Sequence, residues 1–153
     1  MQTSILALMI LVPVLAMTQG GGSQITRTNP PTLSTPTGYT HVVEVTGPGR
    51  TIYIAGQVAF DKDGKVVGSD MKTQAEQVFR NLEAALAAAG AKFSDVVKMN
   101  TYVTDVSQVA AVREVRSRYF GTTTPASTLV QVAALVRPEL LIEIEVVAAV
   151  PAR

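Results

Sequence analysis

The sequence contains no cysteine, no tryptophan and a single histidine, His41. Without cysteine there is no disulfide framework, no thiolate zinc site and no cysteine nucleophile. One histidine excludes the usual multi-histidine metal clusters and leaves a Ser-His-Asp triad without support. Neither sign of charge dominates: 13 Lys and Arg stand against 12 Asp and Glu, a net charge of +1. No basic stripe can therefore track a phosphate backbone, and nucleic acid is not an expected partner. Charged residues make up only 16% of the chain against 47% hydrophobic ones, which fits a packed core and argues against disorder. A length of 153 residues points to one folded domain. Any chemistry has to come from carboxylates, arginines, hydroxyls and the backbone.

No charged side chain precedes Arg27, and Ile5–Met17 is an apolar run broken once by Pro13. The run is short of the roughly 20 residues that span a bilayer, but it suits the apolar centre of a secretory signal. Val14-Leu15-Ala16 places small residues in the pattern of a cleavage site. Residues 1–16 accordingly read as a signal peptide for export to the periplasm or the medium, leaving no stable membrane span after cleavage. Residues 17–37, with Gly20-Gly21-Gly22-Ser23 and a Pro- and Thr-rich stretch, read as a flexible linker. The folded domain is expected over 38–153.

Within the domain, Tyr39–Val45 and Thr51–Phe60 have strand composition, and Gly56 inside the second marks a bulge or a close approach of another group to the backbone. Asp61–Lys65 reads as a hairpin turn into a short strand at Val66-Val67. The period then changes from two to 3.6. Ala75, Val78, Phe79, Leu82, Ala85, Leu86 and Ala89 define one helix face, with Ser69 or Asp70 as cap and Gly90 as stop. A strand over Val96–Val103, a helix over about Ser107–Phe120 and strands over about Ser127–Val136 and Leu140–Val150 complete the order β-β-β-α-β-α-β-β. The fold class is α+β, with two helices on one face of a mixed sheet.

Two helices leave the other face of such a sheet bare. On the last strand, Leu141, Glu143, Glu145, Val147 and Ala149 share that face, with the two carboxylates roughly 6–7 Å apart. A face of this kind calls for a partner, so a homo-oligomer is expected.

The segments YIAGQ (53–57), QAEQVFRNLEAALAAAG (74–90), DVVKMNTYVTD (95–105), TPAS (124–127) and IEIEVVA (142–148) resemble the RidA (YjgF) family, historically also called L-PSP endoribonucleases. The resemblance runs through nearly all of the expected domain. It implies a chorismate-mutase-like subunit, a homotrimer with small-molecule clefts between subunits, and metal- and cofactor-free hydrolysis of reactive enamines or imines to 2-oxo acids and ammonia. By the same resemblance, Tyr39 lines the cleft, the Gly56 N–H meets a ligand carboxylate, and Glu143 holds or activates the hydrolytic water. From the residues alone, Glu145 reads as structural and His41 as an exposed strand residue.

The chain departs from the family where deaminases carry an arginine, which is Ser127 here, and where many members carry a cysteine, here Leu129. A guanidinium grips a carboxylate through two charge-assisted hydrogen bonds, each worth roughly 1.5–3 kcal/mol, whereas serine offers one neutral donor. Arg113, at a position where members often place an asparagine, and Arg137, on the last turn, are candidate substitutes. Two readings stay open: an imine deaminase with a relocated clamp, and a non-catalytic ligand-binding or chaperone-like trimer.

Overall fold

The computed structural model describes residues 24–152. The expected signal peptide lies outside them. Strands β1 (Gln24–Thr28) and β2 (Val42–Thr46) pair antiparallel as a separate ribbon. Strands β3 (Gly49–Val58), β4 (Val96–Val103), β5 (Ala126–Gln131) and β6 (Ile142–Pro151) form a mixed sheet in the order β3-β6-β4-β5. Only the β4–β5 pair is parallel. Helices α1 (Met71–Ala88) and α2 (Val109–Phe120) pack together, and α1 lies against β3 and β6.

The α1 periodicity is realised as expected. Met71, Gln74, Ala75, Val78, Phe79, Leu82 and Leu86 are buried along one stripe. Asp70 caps the start, accepting from the Thr73 N–H at 2.9 Å, and its carboxyl is held below the usual range by that bond. At the other end the Ala91 and Gly90 N–H groups return to the carbonyls of Leu86 (2.8 Å) and Ala87 (2.9 Å), a Schellman closure. Facing the helices, Ile142, Ile144, Val146 and Ala148 of β6 and Val96, Met99 and Val103 of β4 fill the core. Phe79, Phe93, Tyr119 and Phe120 meet with ring centroids 5.0–6.3 Å apart.

Gln74 is a fully buried polar side chain in this core. Its amide donates to the Glu139 (2.7 Å) and Gly68 (3.2 Å) carbonyls, and its oxygen accepts from the Leu141 N–H (2.8 Å). One side chain thus ties the start of α1 to the entry of β6.

Three expectations need correction. Part of the segment read as flexible linker is ordered: β1 pairs with β2, and Arg27 donates to the carbonyls of Thr124 (3.2 Å), Ser94 (3.1 Å) and Val96 (3.3 Å). These partners lie far along the chain, so no local pattern announces them. Val66-Val67 is no strand. Beyond the Asp61–Lys65 turn it makes one bridge, Phe60 to Val66, and one further bond, from the Val67 N–H to the Ala59 carbonyl at 2.8 Å. The fifth strand stops at Gln131 instead of running to Val136, after which the Val132 N–H closes on the Val103 carbonyl at 2.8 Å.

Candidate functional site

The structure divides the five residues singled out from the sequence into two groups. Tyr39, Arg113 and Ser127 come together around a pocket of about 230 Å³, whose remaining lining includes Arg116, Thr37 and Val109. Gly56 and Glu143 meet elsewhere, on the bare face of the sheet.

The first group is assembled by backbone pairing. Thr40 is buried; its N–H donates to the Pro125 carbonyl (2.9 Å) and its hydroxyl to the Thr124 carbonyl (2.7 Å). A single parallel bridge to Ala126 extends this pairing. Tyr39, one residue earlier, is thereby set beside Ser127. The Tyr39 ring is steadied by the edge of His41, with centroids 5.1 Å apart, and the His41 ring is fixed by a 2.8 Å bond between Nε2 and the Ser34 carbonyl. His41 is thus half-buried beside Tyr39 and precedes the strand, whereas an exposed strand residue was expected. Ser127 registers with the buried Met99 of β4, which sends its side chain to the helix side of the sheet, where α2 supplies Arg113.

Arg116 was missed by sequence reasoning. It lies three residues beyond Arg113, on the same helix face, and lines the same pocket. A β-carbon at Gly38 would overlap its guanidinium, 3.2 Å from Cζ, so the missing side chain at Gly38 is what makes room for it. Burial, and then the neighbouring charge of Arg113, pull Arg116 below the ordinary arginine value. Arg137 is engaged elsewhere, with its guanidinium 4.8 Å above the Phe60 ring, and does not line the pocket.

The second group sits where the β3–β6 register slips between Ile54 and Gln57, so the bulge expected at Gly56 is present. The expected close approach is there as well. A β-carbon at Gly56 would lie 2.8 Å from Cδ of Glu143 and closer still to Oε1, so the glycine seats that carboxylate against the strand.

Glu143 and Glu145 share the bare face, yet their surroundings differ. Glu145 Oε1 accepts from Asn100 Nδ2 (2.8 Å) and from the Tyr102 hydroxyl (3.1 Å), and that bond raises the Tyr102 phenol above its ordinary value. The Glu143 carboxylate, among the described residues, has no hydrogen-bond or ion-pair partner. Glu145 is consumed by structure, and Glu143 is left available. No group of three or more acidic or histidine side chains that could hold a metal occurs among the described residues.

Gly56 lies on the edge strand β3 with Glu143 on the adjacent β6, and Ser127 lies on the opposite edge strand β5. Three steps of strand spacing put Gly56 and Ser127 about 14 Å apart before the difference of face is counted. One small ligand cannot touch both groups within one copy of the chain.

A profile of the family described as endoribonuclease L-PSP matches residues 31–150. The chain belongs to the RidA (YjgF) family. Within that family, a RutC family protein of Pyrococcus horikoshii is 42% identical over 101 residues, which span 65% of this chain and 79% of that protein. Human 2-iminobutanoate/2-iminopropanoate deaminase is 39% identical over 100 residues, 65% of this chain and 72% of the human protein. Among solved structures, a conserved Rid family protein of Yersinia pestis matches with a TM-score of 0.76 at 40% identity, covering 82% of this chain and 98% of that one. The RidA-like α+β architecture is therefore established, and among the described residues no helix is long and apolar enough to cross a membrane.

Proposed function

We propose that this RidA-family chain assembles as a homotrimer and hydrolyses small 2-imino or enamino carboxylates in clefts between copies, giving 2-oxo acids and ammonia. The observation that carries this reading is the seat of Glu143: a carboxylate placed against the Gly56 backbone with no partner of its own, beside a second carboxylate that has two. The deaminase relatives, with 39% identity for the human one, support the same chemistry. The separation of the two residue groups supports a cleft between copies, one presenting its Tyr39–Ser127–Arg113 pocket and another its Gly56–Glu143 edge.

In that arrangement the pocket holds the substrate carboxylate, with Arg113 standing in for the arginine that Ser127 replaces. Glu143 takes a proton from the water as its oxygen adds to the imine carbon and passes it to the nitrogen, giving a carbinolamine. It then takes the carbinol hydroxyl proton as the C=O bond forms and delivers it to the nitrogen as the C–N bond breaks. One water is consumed and one ammonia released, with no change of oxidation state. An enamine enters the same path once its β-carbon has taken up a proton to give the imine.

The test couples an amino-acid oxidase, which generates the 2-imino acid, to semicarbazide trapping. Faster loss of imine than in the protein-free blank is the expected result. A rate equal to the blank removes the enzyme reading and favours the second one, a non-catalytic binding trimer, for which Ser127 at the arginine position is the specific observation.

A further inference from the structure

Among the described residues, neither the Arg113 nor the Arg116 guanidinium makes a hydrogen bond or ion pair. Their helix does not lack acids. Glu114 takes Lys72 at 2.7 Å, and Arg118 takes Glu76 at 2.8 Å, but both pairs join α2 to α1 and face away from the pocket. No Asp or Glu lines the pocket itself. Two like charges three residues apart on a helix oppose folding by a few tenths of a kcal/mol, and half-burial of one adds to the cost. Around them stand the hydroxyls of Tyr39, Ser127 and Thr37 and the apolar side chains of Val109 and Leu129. The missing side chain at Gly38 makes room for the Arg116 guanidinium. At about 230 Å³, the space lies below the range of drug-sized ligand pockets, which begins near 300 Å³.

One guanidinium fork already saturates one carboxylate. A second fork in the same small pocket leaves a positive charge that a monocarboxylate does not neutralise. From this geometry we infer that Arg113 and Arg116 together read a dianion, and that the preferred substrates are 2-imino derivatives of short dicarboxylic amino acids. One carboxylate is the group next to the reacting carbon, and the other is the far end of the side chain. Arg116 is then the specificity-determining residue. The inference rests on the proposed function for its reaction, but its binding consequence is separate.

The test is calorimetric titration of the full chain with succinate and glutarate against butanoate and pentanoate, which are stable and matched in length. Wild type is expected to bind the diacids at least about tenfold more tightly. Arg116→Gln should weaken diacid binding about 10- to 100-fold and change monoacid binding less than about threefold. Arg116→Lys should recover part of the loss, because it restores the charge without the fork. Arg118→Gln, outside the pocket, serves as the control for general loss of charge. Equal affinity of wild type for the two classes, absence of binding by both, or an Arg116→Gln variant weakened equally for both overturns the inference. The wild-type comparison stands even if a variant misfolds. Imine hydrolysis without diacid preference would sink this inference and leave the proposed function standing. Selective diacid binding without hydrolysis would do the reverse.

Discussion

The contact between Gly56 and Glu143 gives a sharp handle on the proposed chemistry. In Gly56→Ala the new β-carbon would lie 2.8 Å from Cδ and 3.0 Å from Cγ of Glu143, with Oε1 nearer still. Gly56 is not among the positive-φ glycines, so alanine meets no backbone penalty there. The conflict is relieved by the flexible end of the glutamate, which has to swing off the strand by about 1 Å. A displacement of that size at a reacting group costs about 100-fold in rate, or about 2.7 kcal/mol in the barrier. Folding stability should change by less than about 1 kcal/mol, about 4 °C in thermal midpoint, because no core atom moves. Imine-trapping kinetics on wild type, Gly56→Ala, Glu143→Gln and the double variant, with thermal midpoints for each, test this directly. Since the alanine acts only through the carboxylate, the double variant should be no slower than Glu143→Gln alone. Losses that multiply, or a Gly56→Ala protein at full speed, refute the idea that the glycine exists to seat Glu143.

Gln74→Leu keeps the volume but strips partners from the Leu141 N–H and the Glu139 and Gly68 carbonyls. At about 1–3 kcal/mol for a fully buried orphan, and less for these part-buried groups, it should destabilise the fold by about 1–3 kcal/mol in urea unfolding; a loss under about 0.5 kcal/mol would show that those groups find other partners. Sedimentation of the full chain at micromolar concentration should show a trimer, since Tyr53, 80% exposed, and its neighbours Ala55 and Val147 line an open groove on the bare sheet face; a well-behaved single copy would remove the cleft and the roles given to its lining.

What the sequence disclosed followed from how local each signal was. Helix α1 was legible to its ends because its stripe, its Asp70 cap and its Gly90 stop all act within a few residues. The Gly56 bulge was legible because a glycine inside a strand has few other reasons to be there. Alternation placed Glu143 and Glu145 on one face, but which of them was free depended on Asn100 and Tyr102, two strand residues brought alongside only by the β4–β6 register. Strand β1 stayed hidden because Ile25 is its only strongly apolar residue and its fixings, through Arg27, lie on β4 and the turn before β5. Arg116 had a visible signal, a second arginine three residues past Arg113. Only the fold shows that the intervening Glu114 turns to Lys72 and leaves the arginine facing the pocket.

The unpaired charges of the described chain bear on why two copies should meet. The β5 side of the molecule keeps Arg113 and Arg116 without acids, and the β3–β6 side keeps Glu143 without a base. Within one copy they cannot neutralise each other, because the arginines lie on the helix side near β5 and Glu143 lies on the bare face, on β6. In the proposed assembly they would become complementary, the guanidiniums holding the carboxylates of the ligand while the imine carbon next to one of them faces Glu143 of another copy. Under the proposed function the same polarity would set the direction of catalysis. The guanidiniums would draw the substrate carboxylates inward and Glu143 would stand where water has to be deprotonated, so that neither group needs its own counter-ion until the substrate arrives. A chain that had filled either position with an internal ion pair would fold more comfortably and bind less.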